Sequence, residues 1–200
     1  MKLFFATRNA GKLRELRDLV GPLFEIQSLA DFPDLPEIDE SESTFEGNAG
    51  LKALAGAKAT GMAALADDSG LRVDALGGRP GVRSARYAPG PDAARIEKLL
   101  AEMAGVPEPS RGAEFQCALC LALPDGASVT ETGRCRGRIA LLPRGAHGFG
   151  YDPIFFFPEL GRTMAELAPE EKSRISHRGR AWSRMLPKLR FLNLSGRISP

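Results

Sequence analysis

The sequence predicts an α/β fold, and three observations carry that expectation. The chain opens as strand, helix, strand; an alanine-rich helix runs directly into a short apolar strand; and two long strand-like stretches meet at a turn tripeptide. A β-α-β opening argues for a sheet with a crossover helix packed on it.

The elements follow in order. Lys2–Ala6 is a short apolar run of the kind that forms a buried strand. Leu13, Leu16, Leu19 and Val20 then recur every three to four residues, the spacing of a helix face, and Gly21-Pro22 stops the pattern. Phe24–Leu29 alternates as a second strand, and residues 31–43 form an acidic, proline-containing loop. Thr44–Thr60 reads as a helix ended by Gly61, and Ala63–Ala66 as a short strand running into Asp67-Asp68-Ser69-Gly70. Gly77-Gly78-Arg79-Pro80-Gly81 is a loop by composition. Asp92 stands where it can cap a helix whose apolar positions are Ile96, Leu99, Leu100 and Met103. Residues 113–123 and 127–141 read as a hairpin turning at Pro124-Asp125-Gly126. A glycine- and aromatic-rich loop at 145–153, a Phe155-Phe156-Phe157 strand and a helix after Ser176 complete the chain. These elements fit one α/β unit, or one whose central hairpin and helix form a second lobe.

At 200 residues and 43% hydrophobic, the chain is long enough to bury a real core. A formal net charge of +2 is too small for a general nucleic-acid or membrane binder, although it leaves room for local basic sites. The N-terminal apolar run turns polar at Arg8-Asn9, too early for a signal-peptide core, and no segment nears the roughly 18 apolar residues of a membrane span. The expectation is a soluble, cytoplasmic protein with neither nucleic acid nor membrane as partner. Cys117 and Cys120 form a C-x-x-C, but within a strand residues three apart point to opposite faces, so they read as buried small hydrophobes and not as a zinc site.

Five segments carry residues suited to chemistry. Thr7-Arg8-Asn9-Ala10-Gly11-Lys12 lies at a strand-to-helix turn, where free backbone N–H groups and the helix dipole favour an anion; a plain Asn9 helix cap reads equally well. Asp67-Asp68 ends an apolar strand, where adjacent carboxylates call for a cation such as magnesium, while Asp, Ser and Gly together also suit a simple turn. Strand alternation lets only one of the two aspartates face a site. Among Glu37, Asp39, Glu40 and Glu42, one could supply a second carboxylate, and spacing does not choose which. Phe149-Gly150-Tyr151-Asp152-Pro153 offers a ring on which a base can stack and a carboxylate that can accept from a ring N–H, or simply a packed aromatic loop. Lys172, His177 and Arg178 gather donors just before the last helix, in a charge run that could equally be a solvated face.

Together these strings, with Gly77–Gly81, Ser84-Ala85-Arg86-Tyr87 and Glu171-Lys172-Ser173, strongly resemble the inosine triphosphate pyrophosphatase family, in the family's order from residue 6 to 179. The resemblance implies a single pyrophosphatase domain over residues 1–200, with 195–200 a tail outside the pattern. It implies a central mixed, twisted sheet with flanking helices and a second smaller lobe, the active site lying in the cleft between. It further implies a homodimer that, with Mg2+, hydrolyses deaminated purine nucleoside triphosphates (ITP, dITP, XTP) to the monophosphate and pyrophosphate. The alternatives are a pyrophosphatase for other modified nucleotides and a nucleotide-binding sensor without turnover. By the same resemblance Asp68 is the catalytic acid/base and a metal ligand, and Glu40 the second ligand. Thr7, Arg8, Asn9, Ala10, Gly11, Lys12 and Lys172 would hold the triphosphate, with Ser69 beside the metal. Phe149 would stack on the purine, Gly150 and Tyr151 would complete its loop, and Asp152, His177 and Arg178 would read the base edge. One departure stands out: the family's F-x-E-N-A is here Phe45-Glu46-Gly47-Asn48-Ala49, which moves the glutamate one place, about 100° around the helix, while Asn48 and Lys52 stay in place.

Overall fold

The computed structural model describes residues 1–20, 23–36, 38 and 40–198; the expected Gly21-Pro22 stop, Glu37 and Asp39 of the acidic loop, and the end of the tail lie outside the described residues. Strands β1 (Lys2–Phe5), β2 (Glu25–Ser28), β3 (Ala64–Val73), β4 (Gly112–Ala122), β5 (Ser128–Ile139), β6 (Phe155–Phe157) and β7 (Arg162–Thr163) alternate with helices α1 (Ala10–Val20), α2 (Phe45–Thr60), α3 (Asp92–Glu102), α4 (Pro169–Ile175) and α5 (His177–Ser195). The sheet is mixed, in the order β2-β1-β3-β4-β5-β6-β7. β1 runs parallel to β2 and to β3, whereas β6 is antiparallel to β5 and to β7. The α/β expectation therefore holds, crossover helix included. None of the described helices is long and apolar enough to cross a membrane.

The chain groups into two compact units: Met1–Asp68 with Ala118–Thr132 and Ala181–Pro200, and Ser69–Cys117 with Gly133–Arg180. The hairpin is shared, its tip belonging to the first unit and its base to the second, because β4 and β5 are long enough to serve two cores.

In the first unit the core forms from Leu3, Phe4 and Phe5 of β1, Leu16 and Val20 of α1, and the small face of α2. That face is Ala49, Ala53, Gly56 and Ala57, and its smallness has a direct cause. A Cβ at Gly56 would stand 2.8 Å from the Phe4 ring, so only glycine lets the helix lie this close to β1. Thr44 caps α2 by accepting from the Gly47 N–H at 3.0 Å. Cys120 is buried in this unit and Cys117 and Cys135 in the other; all three are reduced, as expected of small core residues.

The second unit packs Leu71, Val73, Leu99, Met103, Phe115, Phe155 and Leu167 into one cluster. Its helix α3 is not capped as the sequence suggested. Pro91 occupies the cap position without a side-chain bond, and Asp92 is the first helical residue. The Asp92 carboxylate is drawn away to the Gly150 N–H, 2.6 Å distant, and to Arg95. A residue the sequence gave no reason to single out closes this core. Arg111, only 3% exposed, sends its guanidinium to the carbonyls of Ile139 at 2.8 Å, Met103 at 2.9 Å, Ala140 at 3.3 Å and Val106 at 3.4 Å. Its planar fork ties the end of α3 to the end of β5 in a way a lysine cannot copy. Arg111→Met removes the guanidinium from those carbonyls and is expected to cost about 1–3 kcal/mol, read as a lower urea midpoint, with Arg111→Lys recovering only part.

Candidate functional site

The strand-to-helix turn after β1 is built by its own side chains. Asn9 Oδ1 accepts from the backbone N–H groups of Gly11 and Lys12 at 2.9 and 3.1 Å, and Thr7 Oγ1 accepts from the Asn9 N–H at 3.1 Å. The Asn9 cap is thus real, and the oxygens of Thr7 and Asn9 act as acceptors here. Arg8 is exposed, Ala10 and Gly11 open α1, and Lys12 reaches the buried Asp67 carboxylate as an ion pair.

β3 corrects the turn reading of Asp67-Asp68-Ser69-Gly70. The strand continues through all four residues to Val73, and both aspartates are buried, at 3% and 6% exposure. Each has its own lysine: Lys12 serves Asp67, and Lys52 of α2 lies 3.8 Å from Asp68. Lys52 Nζ also donates to Glu40 at 2.7 Å and to the Asp67 carbonyl at 2.8 Å, while the Asn48 amide donates to Asp68 at 3.1 Å. Of the acidic loop's described carboxylates, Glu40 is therefore the one gathered with Asp68 around a single ammonium. Burial pushes the Asp68 carboxyl above the ordinary carboxylate range; Lys52 pulls it back, Glu40 adds to the rise, and Asn48 and Lys12 lower it further. Beside Gly47, a Cβ would meet the Cβ and Cγ of Glu42 at 2.8 and 2.9 Å. The missing side chain is thus matched by the stem of Glu42, whose N–H bonds Asn48 Oδ1 at 3.0 Å. Among the described residues no three His, Cys, Asp or Glu side chains converge as a closed metal cage.

The second unit assembles the aromatic loop with the basic segment. Asp152 Oδ2 accepts from the Phe149 N–H at 2.9 Å and from Lys172 Nζ at 2.7 Å. Gly148, at φ +83°, is required there, since a Cβ would fall 2.1 Å from the same oxygen. The half-buried Phe149 ring has two cations near it, Lys172 Nζ at 5.1 Å and Arg178 Cζ at 5.2 Å from its centroid. Arg178 Nη2 donates to Ser69 Oγ at 3.0 Å. His177, buried at the start of α5, stacks on Phe115 at 4.5 Å and 9°. Tyr151 is buried and spends its hydroxyl on the Ser84 carbonyl at 3.0 Å, so its place in the loop is structural; burial also holds its phenol well above the usual range. The expected residues thus form two clusters. Lys12, Glu40, Asp67 and Asp68, with Asn48 and Lys52, make one; Ser69, Phe149, Asp152, Lys172 and Arg178 make the other. His177 sits with Phe115 and Cys135, two neighbours that the sequence gave no sign of, because they lie on β4 and β5.

Residues 3–188 match the sequence model of the Ham1 family. The chain belongs to the Ham1 family. It is 52% identical to the dITP/XTP pyrophosphatase of Geobacillus kaustophilus over 92% of both chains, and 48% identical to that of Mycobacteroides abscessus over the whole of both. Among solved structures it resembles the HAM1 protein of Coxiella burnetii, with a TM-score of 0.88 and 42% identity over 96% of this chain and 99% of the other. For this Ham1 protein the Asp68 environment makes a measurable statement. In the metal-free protein, carbon-13 NMR should show Asp68 titrating above the ordinary aspartate value. Lys52→Met removes the opposing cation and should move that titration to still higher pH; an unmoved or falling midpoint would refute the assigned cause.

Proposed function

We propose that this Ham1-family chain hydrolyses deaminated purine nucleoside triphosphates (ITP, dITP and XTP) to the monophosphate and pyrophosphate, in the cytoplasm and as a homodimer. The single observation that carries the chemistry is the buried Asp68, ringed by Lys52, Asn48 and Glu40. A carboxylate held above its ordinary range, next to cations, is suited to act as a general base toward water.

Mg2+ fits these residues. Asp68 and Glu40 are hard oxygen donors already drawn to one positive charge, and magnesium is usually held by one or two carboxylates with water and phosphate oxygens filling the rest. When bound, it would neutralise phosphate charge and lower the pKa of a coordinated water. The chain's own side chains do the positioning that phosphoryl chemistry depends on. Lys12 and Lys172, the turn Thr7–Gly11 and Ser69 hold the triphosphate. Phe149 stacks on the purine, carried by Gly150 and Tyr151, and Asp152, His177 and Arg178 read its edge. Arg178 presents only donors, which suits the O6 acceptor of hypoxanthine and xanthine and opposes the amino group of adenine. Activity on other modified nucleotides, or binding without turnover, are the alternatives that a substrate panel separates.

Incubation with Mg2+ and ITP, XTP, dITP, GTP or ATP should release pyrophosphate, fastest from the deaminated purines; orthophosphate release or a preference for ATP would overturn the assignment. Asp68→Asn should lower kcat by about 10²–10⁴-fold with the fold intact, measured by the same pyrophosphate assay and by circular dichroism.

A further inference from the structure

We infer that Cys135 is a positioning residue for His177, its S–H donating to the ring Nδ1 and so keeping the imidazole proton on Nε2. The inference rests on the reading of His177 as a residue that meets the base edge. Its grounds are geometric. His177 is 4% exposed, its ring clamped face to face on Phe115 with centroids 4.5 Å apart and planes within 9°. Cys135 Sγ lies 4.0 Å from Nδ1, the long end of hydrogen-bond reach for sulfur, and is itself 2% exposed. The backbone N–H of His177 also bonds the same sulfur. That N–H belongs to the first residue of α5, where helix donors have no partner inside the helix. With the sulfur accepting from the backbone of His177, its own hydrogen is left to turn toward the ring of the same residue.

The chemistry of a neutral imidazole then fixes the outcome. One ring nitrogen carries the proton and the other accepts, and the partner of one nitrogen sets the state of the other. A thiol can donate only if it keeps its proton. Burial, with Asp152 and Glu114 adding to the effect against the His177 N–H and Arg180, pushes the Cys135 thiol up to about 12, so it stays a thiol in any working buffer. With the thiol as donor toward the ring, Nδ1 is the acceptor and Nε2–H the donor. A ring held in this form offers a hydrogen bond to an acceptor on a base and refuses an amino group.

The chain has two histidines, which makes the test direct. In protein labelled with nitrogen-15 histidine, long-range proton–nitrogen correlation reads the tautomer of each ring, and His147→Gln identifies the His177 signals. The substrate-free protein should show the Nε2–H form at His177. Cys135→Ser, which keeps a donor, should preserve it. Cys135→Ala and the shape-filling Cys135→Val should give a mixture of tautomers. In parallel, the preference for ITP over ATP in kcat/KM should fall about tenfold in the Ala and Val variants and recover in Ser. An unchanged tautomer in both Ala and Val, or Ser behaving like Ala, overturns the positioning role. A shifted tautomer with unaltered preference overturns instead the reading of His177 as a base reader, so the two failures are told apart.

Discussion

The constraint on which the first unit turns is the burial of two adjacent carboxylates in the middle of a strand. Asp67 and Asp68 lie in β3, almost out of water, at positions where a strand ordinarily carries apolar side chains. An unpaired buried charge is strongly destabilising, commonly by about 3–5 kcal/mol when a partner is lost. The fold answers by sending one lysine to each: Lys12 from the first turn of α1 and Lys52 from α2. Alternation along a strand would have let only one aspartate be useful; here it separates two roles. Asp67 is absorbed by Lys12, and its carbonyl helps to anchor Lys52. Asp68, raised by burial and by Glu40 and lowered by Lys52, is left in a balance of opposing influences.

The same requirement explains the approach of α2 to the sheet. Lys52 and Asn48 can reach β3 only if their helix lies close, and the helix lies close because Ala49, Ala53, Gly56 and Ala57 put almost no side chain between it and β1. Small residues on one helix face and long polar ones beside them are thus two halves of one arrangement. Gly47 belongs to it as well. Without a side chain there, the loop that carries Glu40 and Glu42 closes on the start of α2, with the stem of Glu42 where a Cβ would have pointed.

How much of this was legible depends on the range of the interaction that decides it. The hairpin strands were readable because their alternation is long and the turn between them is chemically plain; the structure places them at 112–122 and 128–139. Asp67-Asp68-Ser69-Gly70 misled because turn propensity is local, whereas the pairing of β3 and the two lysines that override it come from elsewhere in the chain. Asp92 misled for the same reason, its carboxylate being claimed by Gly150, 58 residues away. Glu40 could not be singled out from its neighbours by spacing, since a loop has no periodicity to say which side chain points inward. Arg111 and Cys135 gave no signal at all. One is an arginine whose partners are all backbone carbonyls, and the other touches a ring 42 positions distant.

The second unit applies the opposite logic to that of the first. Around Asp68 the protein balances opposite charges against one another; around Phe149 it accumulates donors. Arg178 and Lys172 have no acceptor atoms, and both lie within about 5 Å of the Phe149 ring centroid. Asp152, the one carboxylate among them, is already engaged through Oδ2 by Lys172 and by the Phe149 N–H. On the proposed reading, a His177 held with its proton on Nε2 adds a further donor. A surface so composed would discriminate by refusal as much as by attraction. On the reading proposed above, a base that presents a carbonyl oxygen would find partners, while one that presents an amino group would leave donor facing donor.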